Sequence, residues 1–94
     1  MKNIYSIYDG QAKYWLPIFS CENDNVAKRT FIVSLGESFQ FRADFILYRI
    51  GSFDDDNGIL KVEQPAVVMN GISIAEDYAP VATAPIRSEK EKAS

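Results

Sequence analysis

At 94 residues, 47% hydrophobic and 24% charged, the chain is sized for one domain with a modest core and is too apolar to stay unfolded. It has no run of about 18 apolar residues, so no helical membrane span is expected. Its net charge is −3, and residues 1–78 carry seven Lys/Arg against eleven Asp/Glu, so the bulk basic footprint of a duplex-DNA binder is missing.

The start, Met1-Lys2-Asn3-Ile4-Tyr5-Ser6, does not read as a secretory signal. Asn3 to Tyr8 alternates as a strand, with Tyr5 and Ile7 on one side and Ile4, Ser6 and Tyr8 on the other. Asp9-Gly10 is a turn signal. Ala12 to Phe19 is aromatic and extended, and Pro17 confines it to an edge strand or an irregular arm. Cys21 is the single cysteine, so no intrachain disulfide can form and nothing points to an oxidising compartment.

Asn23-Asp24-Asn25 reads as a helix start, because a short polar side chain there accepts a bond from an unpaired N–H of the first turn. Val26, Ala27, Phe31 and Leu35, with Thr30 and Val33, predict the inner face of a helix over 24–35. Lys28, Arg29 and Ile32 are placed opposite, and Gly36 ends the helix. Glu37 to Ala43 is expected to be a loop. The longest apolar run, Phe45 to Phe53, barely alternates, which predicts a central strand covered on both faces. Arg49 is placed on its face with Phe45, Leu47 and Phe53, its stem over the core and its head in water; the alternative is an ion pair or an interface contact.

Asp56-Asn57-Gly58 predicts a tight type I′ reversal, which requires positive φ at both central residues. Ile59 to Val62 then returns as a strand, and Ala66 to Met69 is a further strand. Ile72-Ser73-Ile74 is expected as a loop or short edge strand. From Ala79 the composition turns to proline, small residues and mixed charge, which predicts a flexible tail, 79–94, on a single domain, 1–78. The fold class expected is α+β: a small, mainly antiparallel sheet with one short helix packed on one face and a disordered C-terminal tail.

The chain has no histidine, which removes the commonest general base and zinc ligand. One cysteine cannot build a multi-thiolate zinc site, and no Ser–His or Cys–His nucleophile system is available. The five glycines are scattered at turns, so no phosphate cradle is formed. No enzymatic activity, cofactor or metal is therefore expected. Asp54-Asp55-Asp56 reads as a solvated turn, since the spacing of a calcium loop is not met. The surface candidates are Lys13, Trp15, Lys28, Arg29 and Arg42, alongside Tyr14, Phe39 and Phe41. Aromatics beside cations anchor protein partners or stack single-stranded bases; as core residues the same aromatics would do neither.

Three blocks carry a resemblance. They are Tyr5-Ser6-Ile7-Tyr8-Asp9 with Ala12, Lys13, Trp15 and Pro17; Asn23 to Phe31, reading N-D-x-x-A-x-R-x-F in part; and Asp44 to Asp54 with Gly58. In this order and spacing, over roughly residues 4–71, the chain resembles the small non-structural protein of gokushoviruses, tailless single-stranded-DNA phages of the microvirus group. Arg42-Ala43 stands where that family usually has a proline. The resemblance implies an early viral protein, absent from the virion, in the host cell cytoplasm. Its implied role is to bind the replication complex and favour single-strand over duplex genome synthesis. It implies viral or host replication proteins as partners, with single-stranded DNA as an alternative direct ligand, and no catalytic residues. An assembly or scaffolding accessory is the other reading. No membrane association is expected. An uncapped sheet leaves a homodimer open through strand pairing between copies.

Overall fold

The alternation in β1 (Lys2–Asp9) sets the frame. Tyr5 and Ile7 are buried on one side of the strand, and Ile4 and Tyr8 stand half-buried on the other. A computed structural model describes residues 1–75 of the chain; the expected tail, 79–94, lies outside the described residues. Short β2 (Tyr14–Trp15) and β3 (Phe19–Cys21) both pair antiparallel with the same edge of β1. Pro17 lies between them, where a missing N–H breaks the ladder. The expected arm is thus two edge strands sharing one neighbour.

Helix α1 (Asp24–Leu35) follows, with the bounds its caps predict. The Asn23 side chain accepts from the Val26 N–H at 3.0 Å. Gly36 takes φ 48°, and its N–H returns to Val33 O. Ala27, Phe31 and Leu35 recur every four residues and are buried against the sheet. Four positions differ from expectation, among them Thr30, which is exposed on the outer side rather than on the inner face. Ile32 packs on the core and Val33 is exposed, because the buried stripe is centred on Phe31. Lys28 lies only a short arc from that stripe and is half-buried, which leaves Arg29 and Val33 on the outer side.

Gly36–Asp44, which includes the loop expected over Glu37 to Ala43, is a run of 3-10 turns with a kink at Phe41, where φ is −105° and ψ 22°. The reason is tertiary: Phe39 is buried in the core, and Arg42 is tied to Ile74, far along the chain. β4 (Phe45–Asp54) then pairs antiparallel along all of β1, and β5 (Ile59–Asn70) pairs with β4. The five strands form one antiparallel sheet in the order β2-β1-β4-β5, with β3 beside β1. A short 3-10 turn, Gly71–Ser73, follows β5 and precedes buried Ile74.

The β4–β5 connection is not the expected two-residue type I′ turn. Asp54 pairs with Ile59 across four residues, and only Gly58 has positive φ, at 72°. The two strands expected at 59–62 and 66–69 are one strand, from which Glu63-Gln64-Pro65 bulge opposite Ile50. A second irregularity at Val68 turns both Val68 and Met69 onto the core. On β4, Ile50 is the extra residue of a bulge against β1. The bulge reverses the alternation, so Phe53 faces away from Leu47 and Arg49 rather than sharing their side.

The core lies on one side of the sheet. Tyr5, Ile7, Leu47 and Cys21 meet Phe31 and Leu35 of α1 there, with Phe19 stacked on Tyr5 at 5.7 Å. β4 is central in strand order, but its expected cover on both faces is not found. Among the described residues, no element packs over the side that carries Ile46, Tyr48 and Phe53.

Candidate interaction surfaces

On that open side, the register brings Tyr8 and Trp15 opposite each other and sets Tyr48 beside Tyr8's neighbour Ser6. The Trp15 ring lies between the two tyrosines, 5.0 Å from each, in tilted contact. Ser6 is buried beneath, its hydroxyl donating to Leu16 O at 2.7 Å, which ties the arm to β1. An apolar cleft of about 350 Å³ runs from Trp15 past Leu16 and Ile18 to Ile50 and Pro65. An aromatic surface of this kind holds a planar or apolar partner through dispersion and desolvation.

The outer side of α1 is a second surface. Arg29, Thr30, Val33 and Ser34 line a shallow depression of about 290 Å³. Arg29 is exposed, and neither it nor Lys28 forms an ion pair among the described residues. A cation beside an exposed valine suits a partner with an acidic rim and an apolar centre.

The expected surface residues therefore do not form one cluster. Lys13 and Trp15 are near neighbours at the open side; Lys13 takes φ 61° in the turn after β1, its N–H donating to Asp9 O at 2.7 Å. Lys28 and Arg29 are across the sheet on α1. Arg42 is occupied within the molecule. Its Nε donates to Ile74 O at 2.9 Å, its Nη1 donates to Phe39 O at 3.3 Å, and the guanidinium lies 4.7 Å from the Phe39 ring centre. Phe39 is core, and Phe41 alone of that pair is exposed.

Charges on the core side are organised around Asp24. The Tyr5 hydroxyl donates to Asp24 Oδ1 at 2.6 Å and accepts from Asn3 Nδ2 at 3.1 Å. Arg49 reaches Asp24 at 3.7 Å and Glu63 at 3.8 Å, so its head is both at the surface and ion-paired. Burial, and next the bond to Asp24, push the Tyr5 phenol up to about 12. Burial disfavours the charged phenolate, and the bond to Asp24 needs the proton that ionisation would remove.

Asp54, Asp55 and Asp56 bring carboxylate oxygens within 4.8 Å of one another. Asp54 is already engaged in shaping the turn. Asn57 Nδ2 donates to its Oδ2 at 2.9 Å, and the Asp56 and Asn57 N–H groups donate to Oδ1 at 3.0 and 3.3 Å. These bonds, that from the Asn57 side chain foremost, hold its carboxyl below the ordinary range. Asp55 pairs with the Met1 ammonium at 3.3 Å.

Residues 2–74 match the family model described as Phage ORF5 protein. The chain belongs to that family. The match runs from the first residue of β1 to buried Ile74, so it spans every strand and helix among the described residues. No curated protein and no solved structure matches. The Phage ORF5 chain thus presents two surfaces on opposite sides of one sheet, one apolar and aromatic, the other carrying Arg29. Sequence reasoning picks out Trp15 but not its neighbours Tyr8 and Tyr48. The even positions of β1 could have shown Tyr8. Tyr48 required the β1–β4 register.

Proposed function

We infer that this phage protein acts in viral DNA replication without catalysing a reaction. It works in the host cytoplasm by binding the replication complex, so that single-strand genome synthesis is favoured over duplex synthesis. Membership of the Phage ORF5 family supports a phage role. The three sequence blocks that resemble the gokushovirus non-structural protein support the replication role. The observation that carries the binding mode is the outer side of α1, where Arg29 and Val33 stand exposed with Lys28 at their flank. The acidic balance of the chain favours protein contact over phosphate contact.

The test is co-purification of tagged protein with viral replication proteins from infected cells. Lys28→Glu together with Arg29→Glu abolishes the association while the far-UV spectrum stays unchanged. The infected cells then accumulate duplex at the expense of single-stranded genomes. A doubly substituted protein that still co-purifies, with its fold intact, removes α1 as the contact.

The Trp15 cluster, with Lys13 beside it, favours a second reading, direct single-strand binding. That reading requires oligonucleotide binding that weakens steeply with salt.

A further inference from the structure

We propose that the open side of the sheet is closed by a second copy of this chain, packed face to face to form a symmetric dimer. The inference is independent of the partner assigned to α1.

Three observations carry it. The first is area. On this side Trp15 is 46% exposed, Ile18 65%, Leu60 56%, Val62 80% and Val67 54%. With half-buried Ile46, Tyr48, Ile50 and Phe53 among them, the apolar surface is on the order of 800 Å². That is about what one partner gives to a standard interface, and more than the roughly 300–600 Å² of the largest patch on a typical monomer.

The second is charge. The register directs Lys2 to this side, and Glu22 follows β3 at its rim; the two pair with each other at 3.7 Å. Lys13 stands in the turn at one corner. Among the described residues the centre is uncharged, so two copies meet there without like-charge repulsion, whereas a nucleic-acid backbone would find few cations. An isologous contact needs a surface that is complementary to itself, and a neutral apolar sheet face meets that need.

The third is β4 itself. Phe45-Ile46-Leu47-Tyr48 and Ile50 read as a strand buried on both sides, yet the described residues of one copy cover only the side of Leu47. A second sheet packed at about 10 Å supplies the missing cover. The free edge of β5 is a poorer route to association. The Glu63-Gln64-Pro65 bulge interrupts its ladder and Pro65 has no N–H to donate, so strand pairing between copies is disfavoured. In the face-to-face arrangement both α1 helices point outward, each free to bind.

The full chain should sediment at twice its 10.6 kDa at micromolar concentration. Trp15 is the single tryptophan, so its emission reports on this surface alone and should move to shorter wavelength as the concentration rises. Val62→Glu, at a position open to solvent in one copy, should give a 10.6 kDa species with an unchanged far-UV spectrum. Phe41→Glu, exposed on the 3-10 helix away from this surface, should remain dimeric. If Val62→Glu loses its far-UV signature, Leu60→Lys carries the same comparison. A wild-type mass of 10.6 kDa at every concentration overturns the proposal, as does a folded Val62→Glu that stays dimeric. Salt-sensitive quenching of Trp15 by an oligothymidylate, with separation of the two copies, overturns it in favour of a single-strand platform.

Discussion

The Tyr5 hydroxyl donates a 2.6 Å hydrogen bond to the Asp24 carboxylate, joining the middle of β1 to the first turn of α1. Arg49 of β4 meets the other Asp24 oxygen at 3.7 Å and Glu63 of β5 at 3.8 Å. One small network therefore links the helix to three strands, including the long edge strand. Phe31 and Ala27 supply the burial that holds α1 down. The Asp24 bonds fix which part of the helix lies over which part of the sheet.

Tyr5→Phe keeps the ring and removes the donor to a carboxylate, so about 1–2 kcal/mol of stability should be lost. The pH dependence follows from the raised phenol. Its neutral form is favoured in the folded state, so the contribution is complete below the ordinary value of 10.0 and lost as pH rises towards about 12. Urea unfolding of both proteins should show the gap narrowing in that alkaline window. Phenolate absorbance should lose its last-titrating component in Tyr5→Phe.

Asp54 gives the opposite sign. Bonds from Asn57 and the Asp56 N–H favour its ionised form, so its folded value lies below the ordinary 3.8. The stability it contributes is present above 3.8 and is lost as pH falls through the folded value. Asp54→Ala should lower the urea midpoint at neutral pH, and the difference from wild type should vanish in acid. A gap that persists unchanged in acid would show that Asp54 supports the turn without its charge, and no gap at neutral pH would show that the turn owes nothing to this side chain.

Arg42 should behave as a structural residue under mutation. Arg42→Ala removes bonds to Ile74 O and Phe39 O and the contact with the Phe39 ring, which together are worth about 2 kcal/mol. Arg42→Lys should recover little of this, because a single ammonium cannot reproduce the planar fork over an aromatic ring. Denaturant midpoints of the two variants check the ranking.

Local signals make β1, α1 and β4 legible in the amino-acid sequence. The Asn23 cap, Gly36 and the four-residue spacing of Ala27, Phe31 and Leu35 lie within one helix's length and need no distant partner. The features that escape such reading depend on pairing between distant residues. The Ile50 bulge exists only against β1 and moves Phe53 to the other side, which changes how the open surface is composed. The 3-10 helix Gly36–Asp44 is held from Ile74, far along the chain. Trp15 is legible as a surface aromatic because Pro17 marks an edge. Its clustering with Tyr48 is not, because contiguity across strands is a property of register.

Gly71 contrasts sharply with the turn glycines Gly36 and Gly58. It is buried, and a Cβ built on it would collide with the Arg42 carbonyl oxygen and would press on Phe45 O at 2.7 Å. Both obstacles are backbone, so neither can swing aside, and the 3-10 helix would have to lift from the sheet. Overpacking of this kind costs about 1–3 kcal/mol where side chains can yield, and more where they cannot. Gly36 and Gly58 also resist substitution, but for a different reason: each has open space around its missing Cβ and a positive φ. Alanine at Gly58 meets only the strain of a positive φ, about 1 kcal/mol; at Gly36, where φ 48° goes with ψ −122°, it meets about 1–3 kcal/mol. Gly71→Ala should therefore reduce the urea midpoint well beyond Gly36→Ala or Gly58→Ala. It should also expose Ile74 and Phe39 to a hydrophobic dye, while the two turn variants stay dark. Equal midpoints for the three would mean that the packing of the Gly71–Ser73 turn under Arg42 does not hold in solution.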